Sequence, residues 1–241
     1  MATIRKHIPN AITCLNLFCG CIACVMAFDG NFLMAAVFIY IAAVFDFLDG
    51  LAARTLHAYS DIGKQLDSLA DVISFGLAPG VIMFCLLSMR FSFNNISFFF
   101  GDYIPYIAFI IPVFSALRLA KFNVDERQTT SFIGLPTPAN AIFWASFACF
   151  LPSHFLQHGI SVILLILLFS YLLISELPMF SLKFNNLKWK DNVVRYIFIL
   201  LTIPILMFGL KFLYLVIVLY ILMSVIVMFA CKNGFEDLSH Q

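Results

Sequence analysis

A chain of 241 residues that is 63% hydrophobic and 11% charged has too little polar surface to clothe a water-soluble globule, in which roughly a quarter of residues carry charge. Its net charge of +1 lacks the basic excess of a nucleic-acid binder. A mean hydropathy of +1.00 and recurring long apolar runs make a bilayer the solvent.

Eight apolar segments follow in chain order and predict transmembrane helices over 12–28, 32–51, 65–89, 104–120, 139–151, 160–174, 193–208 and 212–230. The 139–151 segment is the shortest. Open sheet edges cannot face lipid, and the strict two-residue alternation of a membrane barrel is missing. The expected fold is therefore an all-α integral membrane protein. No long polar linker divides it, so residues 1–241 read as one membrane domain. Arg5 and Lys6 ahead of the first segment mimic a secretory signal. No small-residue cleavage site follows and further spans come quickly, so an uncleaved first span is expected. Cys14, Cys19, Cys21 and Cys24 crowd that span, with Cys85, Cys149 and Cys231 elsewhere. They do not form two separated C-x-x-C units and read as small hydrophobes.

Basic residues set the orientation. With the N-terminus in the cytoplasm and eight spans, twelve of the fourteen Lys and Arg fall on the cytoplasmic side, and only Arg90 and Lys211 fall opposite. The segments 123–138 and 178–192 read as cytoplasmic loops, the second more basic than the first.

Four acidic residues fall where burial should be costly. Asp46 and Asp49 end the second span, and Asp67 and Asp71 begin the third. Residues three or four apart share one helix face, so each helix presents a pair of carboxylates. The short connection makes the two helices antiparallel neighbours, and the pairs can converge. At an effective dielectric near 20, each pair of charges about 6 Å apart costs about 3 kcal/mol. A hard divalent cation with oxygen ligands is the natural counter-charge, so Mg²⁺ or Mn²⁺ is expected, with charge enough for two ions. Gly50 lets a ligand approach the backbone, Arg54 one turn on can pair with phosphate, and Gly63 leaves room beside the third helix. His57 and Asp61 read as solvated loop residues.

The pattern Asp46-x-x-Asp49-Gly50-x-x-Ala53-Arg54, eight residues, then Gly63-x-x-x-Asp67-x-x-x-Asp71 resembles the signature of the CDP-alcohol phosphatidyltransferases at every fixed position. The resemblance implies that family's fold and a metal-dependent transfer of a phosphatidyl group from a CDP-lipid to an alcohol, releasing CMP. It implies Asp46, Asp49, Asp67 and Asp71 as metal ligands, with Asp71 also the general base. It implies Gly50, Ala53, Arg54 and Gly63 as the lining of the CDP and pyrophosphate site, a catalytic core of roughly 8–185 followed by a helix pair of roughly 193–230, and a homodimer. The location implied is a bacterial cytoplasmic membrane with the site facing the cytoplasm.

Three further segments, 8–20, 71–79 and 116–138, resemble the membrane-type phosphatidylserine synthases, and 178–184 does so weakly. This implies CDP-diacylglycerol and L-serine as substrates. Arg118 and Lys121, at the cytoplasmic end of the fourth span, are the candidates for the serine carboxylate, Arg118 preferred for its bidentate fork. Both are equally placed to be anchors meeting lipid phosphates. Asn10, Thr13 and Asn16 recur at threes and either contact nucleotide or hydrogen-bond a neighbouring helix. Ser74 and Pro79 either shape the pocket or bend and pack the third helix. Glu176 reads as an interfacial residue reaching water. The alternatives are the same chemistry with glycerol phosphate or inositol phosphate and, more distantly, a cation transporter. The transporter reading has no internal repeat behind it.

Overall fold

The computed structural model describes residues 2–90, 101–125, 132–150, 159–180, 188–189 and 192–232. Helices α1 (Ala2–Phe28) and α2 (Phe32–Thr55) form a hairpin. Its turn is closed by local signals: Gly30 takes a φ of 73°, Asn31 N donates to Met26 O at 2.9 Å, and the Asn31 side chain accepts from Met34 N at 3.1 Å. Those bonds satisfy groups that the helix ends would leave orphaned. Ala23, Ala27, Ala35 and Ala42 are fully buried in this part of the core, where small side chains let membrane helices approach closely.

Helix α3 (Asp61–Asp71) begins at Ser60, whose hydroxyl accepts from Gly63 N at 3.0 Å. It runs through a π-helical turn, Val72–Leu77, directly into α4 (Ala78–Arg90). Ser74 sits in that turn, is fully buried and donates to Asn16 O at 2.9 Å. Gly20 of α1 makes the approach feasible, because a Cβ there would lie 2.7 Å from Ser74 Cα. Ser74 therefore packs the third span against α1.

Helix α5 (Ile110–Val124) is preceded by a 3₁₀ stretch, Gly101–Phe109. The 104–120 segment is thus helical throughout but not a uniform α-helix; Pro105 lies inside its 3₁₀ part. Helices α6 (Thr137–Phe150), α7 (Gly159–Ile174), α8 (Val193–Met207) and α9 (Leu213–Lys232) complete the helical part. Short α6 holds the centre, with Asn140, Phe143, Trp144 and Ser146 buried and Phe143 stacked on Phe169 at 3.9 Å. A helix apolar all round belongs inside a bundle.

Five helical stretches, 7–28, 32–55, 61–89, 102–124 and 210–229, are long and apolar enough to cross a membrane, and 159–174 and 193–207 are shorter apolar helices. Among the described residues this integral membrane protein is all-helical save for one feature. Within the two segments expected to be loops, β1 (Phe132–Ile133) pairs antiparallel with β2 (Pro178–Met179). Gly134, at φ 75°, follows β1 and donates its N–H to Leu177 O at 2.9 Å, while Leu135 N donates to Leu172 O at 2.9 Å. This strap fastens the approach to α6 onto the end of α7. Residues 126–131, 181–187 and 190–191 of those segments, with part of the weakly similar 178–184 stretch, lie outside the described residues.

Candidate active site

The spacing of the four aspartates places them where α2 ends and α3 runs toward the π turn. Asp49 and Asp71 are buried at 6% and 7% exposure, and Asp46 and Asp67 are half-buried. Asp46, Asp49 and Asp67 each offer a carboxylate oxygen such that all three lie within 4.8 Å of one another. Asp67 Oδ1 is buried and has no hydrogen-bond partner. Three convergent hard oxygens, with an unsatisfied oxygen on one of the same carboxylates, fit a divalent cation. This cluster can hold a metal ion. Asp71 stands beside the trio, and Asp46 is the carboxylate that it repels most.

Helix α1 supplies the donors. Thr13 Oγ1 donates to Asp49 Oδ2 at 2.6 Å and shares its proton with Pro9 O at 3.0 Å. Asn16 Nδ2 donates to Asp71 Oδ1 at 3.3 Å. Of the alternatives for the polar stripe, Thr13 and Asn16 hydrogen-bond neighbouring helices. Asn10 stands by Gly63, its Oδ1 2.9 Å from where a Cβ on that glycine would lie.

A cavity of about 270 Å³ opens beside the carboxylates. Asn10, Thr13, Asp49, Gly50, Ala53, Arg54, Gly63 and Asp67 all line it. The structure thus gathers around one space the residues expected at the nucleotide and pyrophosphate. A Cβ at Gly50 would meet nothing within 4 Å, so that glycine leaves open room rather than relieving a clash. Sequence reasoning missed Tyr59, Ser60 and Lys64 in the same lining. The serine before an Asp-initiated helix was the available signal for Ser60. His57, at φ 48°, is exposed in the turn, and exposed Asp61 opens α3.

The end of α5 lies against α3. Lys64 Nζ donates to Asn123 O at 3.3 Å and Asn123 Nδ2 donates to Ser68 Oγ at 2.8 Å. Arg118 and Lys121 are therefore on the same side of the molecule as the aspartates. Both line a second cavity of about 400 Å³. Arg118 is 7% exposed, donates through Nη1 to Thr137 Oγ1 at 2.8 Å and feels the charge of Asp71. Tyr220, on α9, is buried and donates its hydroxyl to Phe180 O at 3.0 Å. Neither Thr137 nor Tyr220 was expected near the site.

Residues 6–175 match the family model for CDP-alcohol phosphatidyltransferases. Among curated proteins, the chain is 35% identical over 133 residues to a CDP-diacylglycerol–serine O-phosphatidyltransferase of Bacillus subtilis, a match covering 55% of this chain and 70% of the relative. It is 30% identical over 200 residues to the protein of the same name in Helicobacter pylori, covering 80% and 78%. It is 33% identical over 172 residues to the one in Methanocaldococcus jannaschii, covering 70% and 75%. With the match spanning more than half its length and the carboxylates of two neighbouring helices gathered beside a lined cavity, the chain belongs to the CDP-alcohol phosphatidyltransferase family.

Proposed function

We propose that this protein transfers the phosphatidyl group of CDP-diacylglycerol to L-serine, giving phosphatidylserine and CMP. The similar proteins described above carry that activity in their names. The observation that carries the reading is spatial: carboxylate oxygens of Asp46, Asp49 and Asp67 converge within 4.8 Å of one another, and Asp49 and Asp67 line the same cavity as Gly50, Ala53, Arg54 and Gly63.

In this reading Gly50, Ala53, Arg54 and Gly63 receive the CDP moiety, Arg54 facing its phosphates. Asn10 and Thr13 line the same space and add polar contacts. Asp46, Asp49, Asp67 and Asp71 would hold Mg²⁺ or Mn²⁺, two ions in all. When bound, such ions neutralise the carboxylates and stabilise charge on the transferring phosphate and departing CMP. Asp71, oriented by Asn16, accepts the proton of the serine hydroxyl. The serine oxygen forms a bond to the phosphorus bearing the diacylglycerol, and the bond from that phosphorus to the CMP oxygen breaks, its electron pair leaving with CMP. Arg118, with Lys121, holds the serine carboxylate. Positioning and charge neutralisation are the main demands of phosphoryl transfer.

The chain crosses the membrane eight times with its N-terminus in the cytoplasm, a topology supported by the asymmetry of its Lys and Arg. The site then faces the cytoplasm of a bacterial cell, where CDP-linked headgroups and serine are water-exposed and acyl tails stay in lipid. The functional unit is a homodimer.

The test is an acceptor assay with purified protein, CDP-diacylglycerol and Mn²⁺ or Mg²⁺. L-Serine is expected to release CMP and yield phosphatidylserine. A lipid product formed with glycerol phosphate or inositol phosphate but not with serine overturns the assignment of the acceptor.

A further inference from the structure

The cavity at the end of α5 has charges of both signs, and they come from different elements. Arg118 and Lys121 belong to α5, whereas Ser175 and Glu176 follow the last residue of α7. Arg118 is more than nine-tenths buried, yet its Nε has no hydrogen-bond partner. A buried guanidinium donor left idle is unfavourable until an acceptor arrives. The α7 side has the opposite character. The C-terminal end of a helix carries the negative pole of its dipole, and the Glu176 carboxylate adds a full negative charge. The Gly134 strap covers the last carbonyls of this end, since Leu135 N takes Leu172 O and Gly134 lies against Leu173 O and Ser175 O, which leaves the Glu176 carboxylate as that wall's anion.

We propose that this cavity is a zwitterion pocket, in which Arg118 Nε receives the carboxylate of the acceptor and Glu176 receives its ammonium. The inference rests on the serine-transferase reading above and goes beyond it by naming the ammonium partner and the rule of selection. An α-amino acid satisfies both walls. A phosphorylated alcohol brings negative charge against Glu176 and leaves no cation there. A hydroxy acid without an amino group leaves Glu176 unpaired, and an amino alcohol without a carboxylate leaves Arg118 unpaired. Arg118 is buried and Glu176 exposed, so an unpaired group costs more on the Arg118 wall than on the Glu176 wall. Asp125 also lines the cavity, so its contribution has to be separated from that of Glu176.

The experiment uses full-length protein in detergent or vesicles with CDP-diacylglycerol and Mn²⁺, comparing L-serine with 3-hydroxypropanoate. The wild type is expected to prefer serine by roughly 10-fold or more in kcat/KM. Glu176→Gln is expected to raise the serine KM about 10-fold, leave the KM for CDP-diacylglycerol unchanged and shrink the preference over 3-hydroxypropanoate about 10-fold. Glu176→Asp should recover part of the loss, and Asp125→Asn should not reproduce it. Wild-type protein that uses 3-hydroxypropanoate as well as serine overturns the proposal without any variant. So does Glu176→Gln with unaltered serine KM and preference, or Asp125→Asn alone showing the whole effect. Wild-type protein that turns over another alcohol but no serine overturns the parent reading, an outcome distinct from these three.

Discussion

Thr13 Oγ1 and Asp49 Oδ2 lie 2.6 Å apart, a short hydrogen bond between α1 and α2 whose partners are only 3% and 6% exposed. A buried carboxylate aligned by a neighbouring helix is a preorganised ligand. The first helix is therefore part of the site's scaffold as well as of the bundle.

Thr13→Val keeps the volume of that side chain and removes its proton. A hydrogen bond to a charged group contributes about 1.5–3 kcal/mol. Turnover at limiting metal is expected to drop roughly 10- to 100-fold, with more Mn²⁺ needed for half-maximal activity. Thr13→Ser should stay close to wild type. A Mn²⁺ titration of all three proteins decides it, and an unchanged metal requirement in Thr13→Val would show that the hydroxyl does not set the position of Asp49.

Asp71→Asn keeps the size of the side chain and loses the proton acceptor. General-base catalysis contributes about 10²- to 10⁴-fold, so CMP release should fall by at least that much in a protein that still purifies as a folded species. Asp67→Asn should do the same by removing one of the three convergent ligands. EDTA is expected to stop wild-type turnover, and Mn²⁺ or Mg²⁺ to restore it, whereas neither ion should rescue Asp71→Asn. Near-normal rates in the purified variant would remove Asp71 from the mechanism.

The aspartate motif was legible in the sequence because helix periodicity alone puts Asp46 beside Asp49 and Asp67 beside Asp71. A short turn then brings the two pairs face to face. The helices were legible for a related reason, since lipid demands apolar helices, although of the eight expected spans only five described stretches are long enough to cross a membrane. Tyr220 was invisible because its hydrogen bond to Phe180 O joins distant parts of the chain and carries no periodic signal. The pairing of β1 with β2 escaped notice because two-residue strands are too short to show alternation. The π turn at Val72–Leu77 was hidden because its composition is that of the apolar helix around it.

Gly50→Ala offers a clean separation of folding from binding. Nothing lies within 4 Å of the added methyl, and alanine favours a helix over glycine by about 1 kcal/mol. Thermal stability in detergent should hold or rise, while the KM for CDP-diacylglycerol rises because the methyl enters the cavity of about 270 Å³. Normal affinity for the CDP-lipid would place the nucleotide elsewhere.

Gly134→Ala should behave in the opposite way. Its φ of 75° suits glycine, and a Cβ would lie 2.7 Å from Leu173 O and 3.0 Å from Ser175 O. Both are backbone atoms that cannot swing aside. Such strain costs about 1–3 kcal/mol, which for a chain of this size lowers the melting temperature by roughly 2–12 °C. A thermal-unfolding scan measures this directly; an unshifted midpoint would mean that the strap is free to relax away from α7.

The π turn between Asp71 and Ala78 has one further consequence. Such a turn accommodates an extra residue in an otherwise α-helical path, and each α-helical residue advances the side chains by about 100° around the axis. The acid-bearing stretch and the stretch that follows therefore keep separate angular phases, each set by its own neighbours. Excising a single residue there would return the path to plain α-helix with both flanking stretches in place, whereas inserting a residue in the α-helical part would turn Ala78–Arg90 by about 100° relative to Asp67 and Asp71. The third span is continuous along its length but indexed twice around its circumference.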